Sequence, residues 1–577
     1  MSVTNDMTFI LGGDAGQGME SSGAGFAKAL ARDGLHVFAG PDYHSRIRGG
    51  HNFYSVRVAP QEVTAHRSTA ELLLALTSDT VDAHVGQLSS GGGVLYDPTL
   101  GVDEASLRSR GLRPMPLPAV QMAADAGDKM MANTVLLGAA AGVVGWRLDA
   151  VERVITENFG RKSADLVTAN LAAARAGRDY AQQRFPADFP WRIAPDGGAS
   201  RLLLSGSQAL CLGAVAAGCR FMSGYPMTPA TPIMEWWAAH AARYGLVFKH
   251  AEDEIAAINM AIGASFVGAR AMTATSGGGF SLMVEGLGLA GMTEVPLVVV
   301  EAQRAGPSTA MATRTEQGDL LFLLHASQGE FLRIVLAPGT VQQCFECGWR
   351  AFNLAEKYQT PVLILIDQFV AHFVRSLDRS ALDLDAVTID RGALLTEAEL
   401  DALEAPYERY AFTGSGISPR AIPGHPKAIY ASTSDEHTPA SHIDESAANR
   451  KRMHDKRLSK RTGALQEMRP PTVYGPPDAA LALVCWGSTH GPVLEAVDVL
   501  NASGQSARMV HFCDLWPFPA SHVESALRGA RRIVSVEANA TGQFAWLLRA
   551  ETGIRTDGLI SRYDGRPFVV EDILSGL

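Results

Sequence analysis

The chain has 577 residues, of which 47% are apolar and 19% are charged, and its formal net charge at pH 7 is −10. This length corresponds to about three or four domains, and the composition is ordinary for a globular protein with ample core. The acidic balance argues against a nucleic-acid-binding surface. No apolar leader follows Met1, and no run of about 18 apolar residues occurs, so we expect a cytoplasmic protein that neither enters the secretory route nor spans a membrane.

Residues 1–190 are predicted to form one α/β domain. The segment MTFILGGDAGQGMESSGAGF reads as a strand, a glycine-rich turn and a helix, and two further strands surround the basic loop FAGPDYHSRIRGG. The turn is a weak dinucleotide fingerprint, because no acidic residue ends the second strand. Arg46 and Arg48 with two glycines instead make a basic nest suited to an anion, and a solvated or interface loop is the alternative reading. The Pro/Gly-rich segment 184–198 marks the boundary.

Residues 198–380 are predicted to form a central domain built from apolar strands that open into loops. GYPMTPATP (224–232) is such a loop, and EDEIAAINMAIGAS is a helix with acids in its first turn, where the helix dipole favours them. MTATSGGGF is a strand that breaks on three consecutive glycines. PLVVVEAQ is a continuous apolar strand of the kind buried in a parallel sheet, and Arg304 follows it directly.

Residues 381–475 are rich in turns and charges and are predicted to be a solvated connector. Glu436, His437 and His442 could suggest a metal site, but no helical spacing presents them together. Residues 476–577 form a compact strand–helix series, which we interpret as structural and interface-forming.

The six cysteines are scattered, as in a protein from a reducing compartment. Cys344 and Cys347 form a lone CxxC on a predicted amphipathic helix. An iron–sulfur cluster needs four sulfur ligands, and the other cysteines lie in other predicted elements. We therefore interpret them as core residues and predict no cluster and no metal ligand on this chain.

The central motifs, in this order, resemble the pyrimidine-binding domain of the 2-oxoacid:ferredoxin oxidoreductases, a thiamine diphosphate-dependent family. The family has a Tyr-Pro-Ile-Thr-Pro-Ser loop, a helix with an acidic start, a Ser-Gly-Pro-Gly turn and an Arg followed by Gly-Pro-Ser-Thr. This chain has YPMTPA from Tyr225, the acid Glu254, SGGG from Ser276 and RAGPST from Arg304. Three motifs depart from the pattern: SGGG itself, TAMAT (309–313) for Thr-Gly-x-Pro-Thr, and QGE (328–330) for His-Gly-Glu.

The resemblance extends to both ends of the chain. Residues 1–190 resemble the family's γ domain, at the coenzyme A side of the active site, and residues 476–577 resemble a C-terminal domain shared with transketolases. The implied fold is α/β with several parallel-sheet domains, of which the central one, 198–380, is a thiamine diphosphate pyrimidine-binding fold.

The resemblance also implies roles for individual residues. Glu254 is the catalytic acid that shares a proton with N1′ of the aminopyrimidine, a task that suits a carboxyl group in an apolar pocket. Tyr225 and Pro226 contact the cofactor with it. The alternative for an acid at this place is to serve the helix dipole only, which we assign to Glu252 and Asp253.

The 2-oxoacid is expected to bind at Thr228 and Arg304. An arginine can give the substrate carboxylate a planar pair of charge-assisted hydrogen bonds, and Thr228 stands between two prolines that pre-position its hydroxyl. A threonine in such a loop can also simply cap the next helix. Thr313 matches a family threonine near the substrate side chain.

The motifs missing from the chain are informative as well. No Gly-Asp-Gly…Asn motif for Mg²⁺ and the diphosphate occurs, and no four-cysteine set. In the family these belong to a separate β subunit. The chain is therefore expected to be a fused γ–α subunit, active only with a partner that supplies diphosphate binding, Mg²⁺ and a [4Fe–4S] cluster, in a dimer of heterodimers.

The implied reaction converts a 2-oxoacid, CoA and oxidised ferredoxin to acyl-CoA, CO2 and reduced ferredoxin, and its reverse fixes CO2. The γ–α order and the length favour 2-oxoglutarate, which gives succinyl-CoA, with Arg314 or a partner cation for the second carboxylate. Arg46 or Arg48 is the candidate contact for a CoA phosphate. The alternatives are a pyruvate or broad-specificity subunit, a thiamine enzyme that does not reduce ferredoxin, and a non-catalytic flavodoxin-like scaffold.

Overall fold

The computed structural model describes residues 3–43, 50–160, 163–185, 188–195 and 197–577. The chain divides into two compact units. Unit 1 contains Met1–Ser205, His372–Ala381 and Val569–Ser575, and unit 2 contains Gly206–Ala371, Leu382–Phe568 and Gly576–Leu577. None of the helices in the described ranges combines the length and the apolar composition that crossing a bilayer requires.

The strands, in chain order, are β1 (Val3–Thr4), β2 (Met7–Asp14), β3 (His36–Asp42), β4 (His51–Ala59), β5 (Ala70–Ala75), β6 (Leu88–Tyr96), β7 (Arg113–Pro116), β8 (Trp191–Arg192), β9 (Leu202–Ser205), β10 (Phe221–Gly224), β11 (Val247–His250), β12 (Ala271–Thr275), β13 (Leu297–Gln303), β14 (Ile334–Leu336), β15 (Pro361–Asp367), β16 (Val374–Leu377), β17 (Thr472–Tyr474), β18 (Leu481–Trp486), β19 (Ala507–Phe512), β20 (Asp514–Trp516), β21 (Arg532–Glu537) and β22 (Gly558–Ser561).

The α-helices follow in the same order: α1 (Met19–Arg32), α2 (Ser78–His84), α3 (Glu104–Ser109), α4 (Ala119–Ala126), α5 (Ala132–Val143), α6 (Asp149–Phe159), α7 (Ala164–Arg184), α8 (Gly206–Ala216), α9 (Thr231–Tyr244), α10 (Glu254–Phe266), α11 (Gly277–Met292), α12 (Leu320–His325), α13 (Val341–Tyr358), α14 (Gln368–His372), α15 (Glu397–Asp401), α16 (Ala447–Gln466), α17 (His490–Ala502), α18 (Ala520–Leu527), α19 (Gln543–Thr552) and α20 (Val570–Ser575).

Unit 1 is built on a sheet in the order β7-β6-β5-β2-β4-β3-β16-β9. The strands β7, β6, β5 and β2 are parallel neighbours, and the remaining strands join antiparallel. The predicted strand, glycine turn and helix are present as β2, the turn at Gly16 and Gly18, and α1. Phe26 of α1 makes edge-to-face contacts with Phe9 of β2, at 5.0 Å between ring centroids, and with Trp146, at 5.4 Å. Helices therefore cover this sheet as the apolar pattern predicts.

Unit 2 contains a sheet in the order β11-β10-β12-β13-β15-β14-β20, in which only β20 runs antiparallel. Every residue of β12, β13 and β15 is buried, which is the burial expected for central strands of a parallel sheet with helices on both faces. A second sheet has the order β17-β19-β18-β21-β22 and is parallel except for β17. The α/β class with several mostly parallel sheets is thus confirmed.

The predicted solvated connector was wrong for part of its length. Helix α16 buries Lys456 and Lys460, which bind Glu294, with 2.6 Å between Lys456 Nζ and Glu294 Oε1. Glu436 accepts hydrogen bonds from two arginines of the same helix, and His437 packs on the Tyr410 ring. The two buried lysines are neutralised by an acid distant in sequence, and the buried Arg457 is neutralised by Glu436 of the same segment.

The cysteines lie in the cores of unit 2. Cys211, Cys219, Cys344, Cys347 and Cys485 are buried, and Cys513 is partly buried. The sulfurs of Cys347 and Cys513 are 3.6 Å apart, a contact that the sequence spacing did not indicate.

Candidate active site

The candidate site lies at the carboxyl edge of the seven-stranded sheet. Strands β10, β12, β13 and β15 are parallel and end at Gly224, Thr275, Gln303 and Asp367. Ligands of open α/β sheets bind outside this edge, because the loops and helix N-termini that follow the strands converge there. The loop after β10, the start of α11 and the segment after β13 are the motifs that the sequence singled out.

Glu254 is the first residue of α10, and its side chain is not needed to cap that helix. Asp253 caps the helix, since its Oδ1 accepts a hydrogen bond from Ala256 N at 2.7 Å. Glu252 is exposed. Glu254 is only 3% exposed, and no donor among the described residues reaches its Oε1. A buried carboxyl oxygen without a donor is costly, so this oxygen is a candidate acceptor for a ligand.

The three glycines that begin α11 each face a different part of the site. A methyl group at Gly279 would lie 2.5 Å from Glu254 Oε1 and would also collide with Thr275. At Gly277 it would collide with the Asp319 carboxyl, and at Gly278 it would lie 3.9 Å from Met227 Sδ. The first turn of α11 therefore joins α10, the 225–230 loop and the 304–319 segment, and two of its positions leave no room for a side chain.

Arg304 and Thr228 are brought together directly. Arg304 follows the last residue of β13, and its Nη1 donates to the backbone oxygen of Thr228 at 2.7 Å. The contact therefore uses the Thr228 carbonyl and not its hydroxyl. Burial lowers the pKa of Arg304, while Asp319 and Glu301 oppose that effect. The guanidinium remains a cation at neutral pH and is partly buried at the edge of the sheet.

The other predicted residues lie in the surrounding loops. Tyr225 and Pro226 are exposed, and the Tyr225 ring lies 6.4 Å from the His250 ring. Thr313 is partly buried and lies two residues after the loop that the Ala305–Met311 backbone bridge closes.

Two acids that sequence reasoning passed over lie at the same edge. Glu301, in the middle of the apolar run of β13, is fully buried, and burial together with the neighbouring Asp319 raises the pKa of its carboxyl well above its usual range. Asp319 packs on Gly277, and its N–H donates to Gln303 Oε1 at 2.9 Å. The sequence did carry a signal that Glu301 belongs to a functional site, because a lone acid inside a continuous apolar strand is unusual. No local feature of the sequence indicated such a role for Asp319.

A third acid, Asp367, lies on the neighbouring strand and is fully partnered. Ser488 Oγ and Val370 N, at 3.0 Å, donate to its carboxyl. Burial outweighs these hydrogen bonds and raises the pKa of Asp367 to about 6.

The predicted CoA contacts, Arg46 and Arg48, lie outside the described residues. In unit 1, the turn at Gly16 and Gly18 borders a cavity of about 650 Å³, whose polar lining includes Gln17 and Lys28. The N-cap residue of α1 is Gly18, which has no side chain to cap the helix.

Three family models match the chain. Residues 212–456 match pyruvate flavodoxin/ferredoxin oxidoreductase, thiamine diP-bdg (thiamine diphosphate-binding). Residues 8–180 match pyruvate ferredoxin/flavodoxin oxidoreductase, and residues 479–573 match pyruvate:ferredoxin oxidoreductase core domain II.

Individual relatives match over nearly the whole chain. The alpha subunit of 2-oxoacid:ferredoxin oxidoreductase 2 of Aeropyrum pernix is 33% identical, over 97% of this chain and 96% of its own length. The 2-oxoglutarate oxidoreductase subunit KorA of Mycobacterium tuberculosis is 30% identical, over 97% and 89%. A solved structure, 2-oxoglutarate:ferredoxin oxidoreductase from Magnetococcus marinus with 2-oxoglutarate, coenzyme A and succinyl-CoA bound, superposes with a TM-score of 0.91 at 32% identity, covering 99% of this chain and 98% of that one. The chain therefore belongs to the 2-oxoacid:ferredoxin oxidoreductase family, among its alpha subunits.

Proposed function

We propose that this chain, a fused γ–α subunit, carries the pyrimidine-binding half of an oxidoreductase that converts 2-oxoglutarate, CoA and oxidised ferredoxin to succinyl-CoA, CO2 and reduced ferredoxin. The observation that carries the proposal is the Glu254 carboxyl, which is buried at the carboxyl edge of the sheet with one oxygen that no described donor reaches. Run in reverse, the same reaction fixes CO2.

The residues at this edge fit the aminopyrimidine of thiamine diphosphate. Glu254 Oε1 receives no hydrogen bond from the part of the chain that the structure describes, and Gly279 leaves the space in front of it free of a side chain. The family model that matches this segment is described as thiamine diphosphate-binding. When bound, thiamine diphosphate supplies a nucleophilic carbon for the 2-oxo group and an electron sink after decarboxylation.

Each residue of the candidate site has a definite task. Glu254 accepts a hydrogen bond from the pyrimidine N1′ and holds the proton there, in a site with little competing water. Arg304 binds the carboxylate of the 2-oxoacid with charge-assisted hydrogen bonds, and its bond to Thr228 O fixes the side chain. Tyr225, Pro226 and the Thr228 hydroxyl, in the 225–230 loop, border the cofactor and substrate, and Thr313 lies toward the substrate side chain.

The proposal includes a partner β subunit. The matched relatives are named as alpha subunits, and this sequence has neither the diphosphate motif nor a four-cysteine set. The partner would supply the diphosphate site, Mg²⁺ and the [4Fe–4S] cluster that passes electrons to ferredoxin, in a dimer of heterodimers.

The substrate assignment rests on the names of the relatives. The Magnetococcus marinus structure contains 2-oxoglutarate and succinyl-CoA, and the Mycobacterium tuberculosis relative is named a 2-oxoglutarate oxidoreductase subunit. Arg314, next to Thr313, is our candidate for the second carboxylate. A pyruvate or broad-specificity enzyme is the second candidate, because the Aeropyrum pernix relative is named only for 2-oxoacids and the family models are named for pyruvate.

The CoA side is assigned to the N-terminal 190 residues. The superposed structure contains coenzyme A, and the cavity beside the turn at Gly16 and Gly18 belongs to this part of the chain. Arg46 and Arg48 stay our candidates for a CoA phosphate.

The test is anaerobic co-expression of this chain with its partner subunit, followed by a CoA-dependent viologen reduction assay. The substrates are 2-oxoglutarate, pyruvate and 2-oxobutyrate, and Arg314→Gln is compared with the unchanged chain. We expect 2-oxoglutarate to have the highest kcat/KM and Arg314→Gln to raise its KM more than that of pyruvate. A preference for pyruvate would replace the substrate assignment, and activity of this chain without a partner would overturn the two-subunit proposal.

A further inference from the structure

The 304–319 segment is hydrogen-bonded to the C-terminal part of the chain, residues 476–577, through Gln317. This side chain is fully buried. Its Oε1 accepts from Ala538 N at 2.9 Å, and its Nε2 donates to Trp486 O at 2.8 Å. The N–H of Gln317 also donates to Ala538 O at 2.6 Å. A primary amide is the side-chain group that can accept and donate at once in this way, so Gln317 fixes the segment to two separate backbone positions.

Two further contacts surround this point. Gln543, the first residue of α19, donates from Nε2 to Gly318 O at 2.6 Å and accepts at Oε1 from Leu321 N at 3.0 Å. On the other side, Thr315 N donates to Gly565 O at 3.3 Å. The second half of the segment is therefore held along its backbone by the C-terminal part of the chain.

Gly565 also limits the side chain of Arg314. A methyl group at Gly565 would lie 2.9 Å from Arg314 Cβ, 3.2 Å from Arg314 Cγ and 2.5 Å from Met311 Cε. Gly565 is buried, and its backbone has a φ of +79°. Because the contact is with the first two carbons of the arginine side chain, the backbone at Gly565 restricts the rotamers that Arg314 can adopt.

The ends of the 304–319 segment are anchored elsewhere. Arg304 Nη1 donates to Thr228 O at 2.7 Å, and Asp319 N donates to Gln303 Oε1 at 2.9 Å. These partners belong to the seven-stranded sheet and its loops. A disturbance on the C-terminal side is therefore expected to move the middle of the segment, with Thr313 and Arg314, more than it moves Arg304.

We propose that Gln317 and Gly565 position Arg314, so that the C-terminal part of the chain determines the preference of the enzyme for a dicarboxylic 2-oxoacid. This positioning role rests on the proposed function, in which Arg304 binds the carboxylate next to the oxo group and Arg314 binds the second one. Gln317 and Gly565 act through Arg314 and do not touch the reacting atoms.

The first test is Gly565→Ala in the assembled enzyme, assayed by viologen reduction with 2-oxoglutarate and with pyruvate, which has a methyl group in place of the second carboxylate arm. The added methyl group displaces Arg314, so we expect KM for 2-oxoglutarate to rise about tenfold, with kcat and the KM for pyruvate changed by less than about twofold. Gly553→Ala is the matched control. Gly553 has a similar φ of +76°, and no described atom would lie within 4 Å of its methyl group, so it introduces the same backbone strain without the contact and keeps the preference.

Gln317→Leu gives a second, independent variant. Leucine fills most of the space but leaves Trp486 O and Ala538 N without their partner, so the preference shifts in the same direction as in Gly565→Ala. In an Arg314→Gln background neither change lowers the preference further, because the residue through which both act is gone. A purely structural role would instead lower kcat for both substrates alike and would add to the effect of Arg314→Gln.

Binding can be measured without turnover. Glutarate has both carboxylates but no oxo group, and calorimetric titration of the assembled enzyme with it is expected to give an about tenfold weaker affinity in Gly565→Ala and an unchanged affinity in Gly553→Ala. If one of the two variants fails to assemble with the partner subunit, the other one and its Arg314→Gln double variant decide the question.

An unchanged preference in Gly565→Ala and Gln317→Leu, or an equal loss in the presence and absence of Arg314, would overturn the positioning role while leaving the proposed function intact. Failure of the proposed function would look different. In that case no 2-oxoacid supports viologen reduction, or Arg314→Gln alone leaves the preference between 2-oxoglutarate and pyruvate unchanged, and the positioning role falls with it.

Discussion

Unit 2 contains buried carboxylates at two places, and they differ in whether the chain itself supplies their hydrogen-bond and ion-pair partners. Around α16, Glu294 is bound by Lys456 and Lys460, and its backbone oxygen accepts from Arg409 at 2.7 Å. At the carboxyl edge of the sheet, Glu254 and Glu301 have oxygens that no described donor reaches. The first group holds segments distant in sequence together, whereas the second group is left incomplete by this chain.

A structural buried acid differs from a functional one in whether cations of the same chain neutralise it. Burial alone would raise the pKa of Glu294. The charges of Lys460 and Lys456 outweigh burial and bring the pKa below its usual value, so the carboxyl stays ionised. No cation of this chain binds Glu301 within the described residues, and its pKa rises. A folded chain tolerates an incompletely satisfied buried acid most readily where a ligand or another protonation state is part of the function.

The largest expected effect is on catalysis, from Glu254→Gln. The amide cannot hold the proton at N1′, so kcat of the assembled enzyme falls by about 10²–10⁴-fold, while the denaturation midpoint changes little. Glu252→Gln, two residues away on the surface, is the matched control and keeps full activity. Activity above one tenth of the unchanged enzyme in Glu254→Gln would remove this acid from the mechanism.

The largest expected effect on stability comes from the fully paired group. Glu294→Gln leaves Lys456 and Lys460 as buried cations without a counter-ion, and we expect a loss of about 3–5 kcal/mol in the free energy of unfolding of unit 2. The loss is measured by chemical denaturation, with the exposed Glu445→Gln as control. An unchanged midpoint would show that the ion pairs add no net stability.

The pH dependence of that effect has a definite sign. The folded pKa of Glu294 lies below its unfolded value, so its contribution is present above the unfolded pKa and is lost as pH falls through the folded pKa. The difference between the unchanged protein and Glu294→Gln therefore shrinks under acid conditions.

An intermediate effect is expected where the glycines make room for the site. Gly279→Ala places a methyl group 2.5 Å from Glu254 Oε1, so the carboxyl or α11 must shift, at a cost of about 1–3 kcal/mol. We expect a weaker apparent affinity of the assembled enzyme for thiamine diphosphate. Gly278→Ala is the matched control, because its methyl group would make only an ordinary contact with Met227. Equal affinities in the two variants would contradict the role given to Gly279.

The last effect is a change of stability with pH, and it concerns the acid with the raised pKa. Because the folded pKa of Glu301 lies above the unfolded one, stability falls as pH rises from the unfolded pKa toward the folded value. Glu301→Gln removes that loss, so its midpoint relative to the unchanged protein improves with pH, by up to about 1.4 kcal/mol per pH unit. Parallel midpoints at about pH 5 and pH 8 would indicate that Glu301 ionises normally.

Local pattern was enough to predict most of the central elements. The apolar runs of β13 and β15 identify strands, and the glycine run after β12 identifies the end of that strand, without knowledge of the rest of the chain. The position of Glu254 after an N-capping aspartate follows from the same local rules.

Contacts between distant segments could not be read from the sequence. The burial of Lys456 and Lys460 depends on Glu294, more than 160 residues earlier, so local pattern alone predicts a solvated helix from its dense charge. The role of Gly277 became apparent only when Asp319 was placed against it. In both cases the neighbour that decides the energy lies far away along the chain.

The position of β16 in the sheet affects folding during synthesis on the ribosome. It lies between β3 and β9 in the sheet of unit 1, although it is about 170 residues downstream of Ser205. At about 5–20 residues per second, a ribosome needs roughly ten to thirty seconds to deliver it after β9 has been synthesised. During that interval β3 presents an open edge, which is a template for association with other chains. Nascent chains stalled or truncated before Val374 are therefore expected to be the aggregation-prone species in the life of this protein.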